Sequence, residues 1–137
     1  EAILNHASGM VALAGMAGDV KAIRNAAAAG NGQAVLALKI FTRSVTKAIG
    51  GFCWLLGGLD AIVFAGGIGE HDAQGRTEIL DGLQELGISI SSPLNETKAS
   101  GVHRISAAES RTALFVVPAQ EDLMIAMHVD RMARSDS

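Results

Sequence analysis

Residues 60–70 read DAIVFAGGIGE, an apolar run that passes straight into a glycine turn and then into an amphipathic segment. Ala61, Ile62, Val63, Phe64 and Ala65 fit an interior parallel strand, because such strands are covered on both faces and need no polar alternation. Gly66, Gly67 and Gly69 let the backbone turn and approach another group without interference from Cβ. Strand-to-helix junctions of this kind are where α/β proteins hold phosphates and nucleosides. An ordinary strand-to-helix connection has the same local pattern, so the glycines alone leave both readings open.

The surrounding sequence supplies an α/β frame. Asp19 is placed to cap a short Ala-rich helix ending near Gly30, and a longer helix is expected over residues 33–56. In it Val35, Leu38, Phe41 or Thr42, Val45, Ile49 and Phe52 recur at helical spacing and form a candidate core stripe. After the strand at 60–65, residues 72–86 fit a helix with Ile79, Leu83 and Leu86 on one face, closed by Gly87. Residues 88–90 suit a short strand, 91–101 an exposed loop and 102–106 a small edge strand. Residues 112–117 (TALFVV) read as a second buried strand, 118–120 as a turn and 121–132 as the last helix, with a frayed tail over 134–137. Two long parallel strands are too few for a sheet covered on both faces, so further strands are expected from elsewhere.

Composition narrows the function classes. The 137 residues suffice for one domain with a real core; 49% are hydrophobic and 18% charged, which excludes disorder and leaves apolar surface for a partner. With 11 Lys and Arg against 14 Asp and Glu, no basic block and few aromatics, nucleic-acid binding is not expected. Cys53, the single cysteine, excludes an internal disulfide framework and reads as a buried inert thiol, consistent with a reducing cytoplasm. The uncharged stretch at 48–59 is short of the ~20 residues a membrane span needs and reads as a buried helix end. Glu1 opens the chain without a signal-peptide pattern, and the missing Met suggests a piece of a longer protein. His6, His103 and His128 show no metal-ligand spacing and read as surface or satisfied histidines.

Three stretches in order, LNHASGMVALAGMAGDVKAI, DAIVFAGGIGEH and VVPAQEDLMIA, resemble the carboxyl-terminal part of acetate and propionate kinases. The resemblance runs from about Leu4 to Met132. These enzymes belong to the sugar kinase, actin and Hsp70 superfamily, so it implies a partial ribonuclease H-like (actin-like ATPase) domain of parallel strands with flanking helices, its amino-terminal strands missing. The whole chain, 1–137, would be the carboxyl-terminal, adenosine-binding part of an acyl kinase domain.

The resemblance also implies roles for residues. Gly66, Gly67, Ile68, Gly69, Glu70 and His71 would lie at the nucleotide, ATP or ADP, with Ile68 packed on an apolar face and the helix N-terminal N–H groups nearby. Asp19, Val20 and Lys21 would border the same nucleotide; Asp19 matches the family pattern, while Lys21 stands where Arg is usual. Lys keeps the charge but lacks the planar fork and stacking face of guanidinium, which implies weaker nucleotide binding. His71 replaces a usual Asn. Glu121 falls on the carboxylate that the family places near Mg2+, a hard cation that prefers oxygen. Local readings stand beside these: Asp19 as a helix N-cap, and Glu121 as a solvent-facing residue favoured by the helix dipole.

The family's catalytic arginines, histidine and aspartate, its phosphate loops and its acyl pocket match nothing in this chain. No catalytic residue is therefore expected within it. The resemblance implies phosphoryl transfer between ATP and a small carboxylate such as acetate, a homodimer and a cytoplasmic enzyme without a membrane partner. A non-catalytic module that binds nucleotide or self-associates is the alternative. A dinucleotide-binding oxidoreductase fits poorly, since GIGEHD lacks the further small residue that fingerprint needs.

Overall fold

The computed structural model describes residues 9–16, 19–120, 124 and 131. Helices α1 (Gly9–Ala14), α2 (Val20–Ala28) and α3 (Gly32–Leu56) lead into strand β1 (Ala61–Ala65). Helices α4 (Gly66–His71), α5 (Ala73–Leu80) and α6 (Ser92–Glu96) follow, then strands β2 (His103–Arg104) and β3 (Ala113–Val117). The sheet order is β1-β3-β2, with β1 parallel to β3 and β2 antiparallel to it. Both expected long strands form, and the α/β class holds.

Helix boundaries follow from local chemistry. Asp19 caps α2 by accepting a hydrogen bond from Ala22 N at 2.9 Å, and the Asn31 side chain caps α3 by accepting from Gln33 N and Ala34 N. Gly57, at φ 71°, lets Gly58 N donate back to Cys53 O at 2.9 Å and ends α3. Between them α3 joins two cores. Its first half packs Ala34, Ala37 and Leu38 against Ala14 and Ile23. Farther along, Val45 and Ile49 meet the sheet core of Phe64, Ile79, Leu80, Leu83, Ile88, Ile105, Leu114 and Val116.

Strand register explains why that core is one-sided. Ile62 pairs with Leu114 and Phe64 with Val116, so these four share the face packed by α5 and α3. Val63, pointing the other way, is 56% exposed. β1 is therefore an edge strand among the described residues rather than the interior strand expected, because β3 pairs with it on one side and no described strand does so on the other.

Several expectations change. The end of α3 is not buried: Phe52 is 59% exposed, Trp54 87%, Leu55 79% and Leu56 70%. The last turn contributes no residue to either core, since α3 joins them through Ala34, Ala37, Leu38, Val45 and Ile49. Val35 likewise faces outward and Cys53 is half-buried, whereas Ala34, Ala37, Leu38 and Thr42 are the buried positions. The helix expected over 72–86 divides at Gly82, whose φ of +83° ends regular helix; α5 stops at Leu80 and a 3-10 turn covers Gln84–Leu86, leaving Leu86 exposed. The stretch at 88–90 contributes only a bridge between Ile90 and Ser106. Within the expected loop at 91–101 sits α6, with Pro93 in its first turn, where a missing N–H costs nothing, and with Asn95 buried. The expected helix at 121–132 and the tail lie outside the described residues apart from Met124 and Arg131, both helical.

Candidate functional site

The glycine segment is itself helical. Ala65 ends β1 in extended conformation, Gly66 turns the chain at φ +70°, and Gly66–His71 forms α4 before Asp72 opens α5. The three glycines are not equivalent. A Cβ on Gly69 would stand 3.1 Å from the Phe64 carbonyl carbon, so this residue lets α4 lie against the strand it follows. A Cβ on Gly67 would meet nothing within 4 Å, and Gly67 is exposed. Gly67 thus borders open space, whereas the missing side chain of Gly69 serves packing. Ile68 and Glu70 are half-buried beside it and His71 is exposed.

Two contacts join the elements that carry the sequence motifs. Arg24 Nε lies 2.7 Å from Asp72 Oδ2, while its Nη1 and Nη2 each donate to Glu78 at 3.0 Å. This two-pronged pair ties α2 to α5. Arg24 stands one turn beyond Val20 and Asp72 directly follows His71, so the pair links the middle of α2 to the junction of α4 and α5. Burial lowers the Arg24 pKa, but hydrogen bonds and charge from Glu78 and Asp72 outweigh it and raise the guanidinium above its usual range. On the other side, the Glu70 carboxylate accepts a hydrogen bond from Ala119 N at 2.8 Å. That bond joins α4 to the PAQED segment. Glu121 itself lies outside the described residues, as do His6 and His128. His103 is half-buried, with Nδ1 3.1 Å from Gly101 O.

Sequence reasoning missed two residues that shape this site, Arg76 and Asn95, which are 3% and 2% exposed. Arg76 Nη1 donates to Gly69 O at 2.7 Å and to Glu70 O at 2.9 Å. Its Nε and Nη2 donate to Asn95 Oδ1 and Asn95 O, each at 2.7 Å. Asn95 Nδ2 in turn donates to Ala73 O and Thr77 Oγ1. Burial pushes the Arg76 guanidinium below its usual pKa against the pull of Asp72, yet four charge-assisted hydrogen bonds compensate it. An Arg on an amphipathic helix and an Asn after a proline carry no sequence mark of such a pairing; only a Gly75 that admits Asp72 and Arg24 beside them hints at close packing.

A groove of about 950 Å3 lies elsewhere, between α2, α3 and α5, with Arg24, Lys39, Arg43, Glu78 and Asp81 on its walls. None of Asp19, Lys21 or residues 66–71 lines it. Among the described residues no three or more His, Cys, Asp or Glu side chains gather as a metal site, and no helix is long and apolar enough to cross a membrane.

Comparison with known proteins bears on the family and the fold. A family model described as "Acetokinase family" matches residues 1–127. The acetate kinase of Clostridium botulinum (strain Loch Maree / Type A3) is 40% identical over 126 residues, 92% of this chain and 32% of the relative. The crystal structure of Porphyromonas gingivalis acetate kinase superposes with a TM-score of 0.84 at 31% identity, covering 93% of this chain and 32% of that one. A propionate kinase from Francisella tularensis gives 0.80 at 34% identity, covering 91% and 31%. The chain thus spans about a third of the length of the curated relatives it matches. On its motifs, its fold and these matches, the chain belongs to the acetokinase family.

Proposed function

We propose that residues 1–137 are the carboxyl-terminal, adenosine-side part of an acetate kinase, an enzyme that moves the terminal phosphoryl group of ATP to a carboxylate oxygen of acetate, giving acetyl phosphate and ADP. The observation that supports this reading is that Arg24, midway along α2, pairs with Asp72, the residue between α4 and α5, while Glu70 of α4 accepts from Ala119 of the PAQED segment. In this reading the three separated motifs face one end of the sheet, where α/β folds bind nucleotides. In this reading Gly66, Gly67 and Ile68 accept the base and ribose, with Asp19, Val20, Lys21 and His71 at the margin. Gly69 and Glu70 act through backbone placement.

Glu121 follows Ala119 by two residues, so the bond to Glu70 sets the start of its segment beside α4. The family resemblance assigns Glu121 to Mg2+, a hard cation that a carboxylate suits and that would neutralise charge on the phosphates when bound. A homodimer and a cytoplasmic location belong to the same reading. The likeness to a propionate kinase supports a second reading with the longer carboxylate as substrate. The residues that clamp the transferring phosphoryl match nothing in this chain, so the reaction needs groups beyond it.

Calorimetric titration of ADP, with and without Mg2+, into the 137-residue chain tests the proposal. Saturable one-site binding is expected, together with no acyl-phosphate formation from ATP and acetate or propionate in a coupled assay. Absence of ADP binding to folded chain refutes the nucleotide reading, and turnover that survives removal of host kinase refutes the division of labour.

A further inference from the structure

Resting on the nucleotide reading above, we propose that Arg76 and Asn95 form a positioning latch that fixes the last turn of α4 and so holds the exposed edge at Gly67 in its ligand-presenting shape. α4 has only six residues and its N-cap, Ala65, offers no side-chain acceptor, so the helix cannot be held by its own backbone bonds alone. Its end carries carbonyls without helical partners. Arg76 supplies donors to two of them, Gly69 O and Glu70 O.

The fork is in turn oriented from another element. Asn95 Oδ1 and Asn95 O receive Nε and Nη2, and Asn95 Nδ2 is anchored on Ala73 O and Thr77 Oγ1. Each member is thereby fixed on two sides. This gives the excursion through α6 a purpose that its short elements do not otherwise disclose: it delivers one buried Asn to the back of the glycine helix. Neither residue touches the open side at Gly67, so their effect on a ligand is exerted through α4. The Glu70 peptide is the point of transmission, because its carbonyl is held by Arg76 while its carboxylate holds Ala119 N.

The test measures amide hydrogen exchange and ADP titration on wild type, Arg76→Lys and Thr77→Val, well below the unfolding temperature. Lys keeps the charge but cannot span Asn95 and both carbonyls, so exchange at residues 69–72 rises and ADP affinity falls, each by about tenfold. Thr77→Val, which removes one anchor of Asn95 at an exposed position, moves both readouts the same way by a smaller factor. Exchange in β3 stays unchanged in both variants, as a general loss of stability would not allow. Wild-type exchange at 69–72 in folded Arg76→Lys overturns the latch; loosened α4 with unchanged ADP affinity overturns its positioning role. If Arg76→Lys does not fold, Thr77→Val decides by the same criteria. Wild type that binds no ADP overturns the nucleotide reading and the positioning role with it, and is distinguished from a failed latch because exchange at 69–72 still responds to the substitution.

Discussion

Gly67 and Gly69 are two positions apart on one short helix and have opposite reasons for being glycine. Gly67→Ala adds a methyl group to open space in helical backbone, so stability holds or rises by about 0.5–1 kcal/mol while ADP binding weakens. Gly69→Ala pushes against the Phe64 backbone and costs about 1–3 kcal/mol in urea denaturation. Unaltered ADP affinity in Gly67→Ala would place the ligand elsewhere. Lys21→Arg restores a planar donor fork beside the nucleotide and is expected to tighten ADP binding a few-fold; equal affinity would show that Lys21 does not reach it. The glycine pattern marked this region in the sequence, but the roles of the two glycines depend on a strand behind one and emptiness before the other. Arg76 and Asn95 were illegible for a related reason: a buried polar pair is defined by partners 19 residues apart, and periodicity registers only apolar positions.

At the scale of elements, the two strands were legible because burial leaves its mark on the strand's own residues, TALFVV and AIVFA. Strand neighbours leave no such mark, which is why β1 read as interior and stands at an edge among the described residues. Helix division at Gly82 depends on one positive φ, and the buried Asn95 turned an expected loop into α6. The link between α2 and α5 was equally hidden, since Arg24 finds Asp72 and Glu78 48 and 54 residues away. Asp72 serves twice, capping α5 through Gly75 N at 3.0 Å while accepting from Arg24. Arg24→Met keeps much of the packing and removes the charge, leaving two half-buried carboxylates without their shared partner. The expected loss is about 1–3 kcal/mol in urea denaturation, with faster amide exchange where α2 meets α5. Because the Arg24 pKa is raised, its contribution is complete below the usual guanidinium range and fades only as pH climbs through the higher folded value. The Arg24→Met penalty is therefore flat between pH 6 and 9 as far as the guanidinium is concerned. A penalty of a few tenths of a kcal/mol would mean that the pair acts as an exposed one.

For the molecule as a whole, the unfinished surfaces follow from two halves of one design. One sheet face is sealed by α3 and α5, whereas β1 has an unpaired edge among the described residues and Val63 faces outward. The last turn of α3 presents Trp54, Leu55 and Leu56 at 87%, 79% and 70% exposure, with Phe52 one turn before Leu56 at 59%. Together these amount to an apolar patch on the order of several hundred Å2, at or above the largest that monomers ordinarily expose. An open strand edge and such a patch both favour association, the first through backbone hydrogen bonds and the second through loss of apolar surface. Sedimentation of the purified chain is expected to show a dimer or larger species at micromolar concentration. Trp54→Lys combined with Leu55→Lys separates the two routes: it adds charge to an already exposed turn, leaves the sheet untouched and costs the fold little. If the helix end drives association, the double variant sediments as a monomer with unchanged circular dichroism. If the oligomer persists, Trp54 and Leu55 do not carry association, and a wild-type monomer at high concentration excludes both routes.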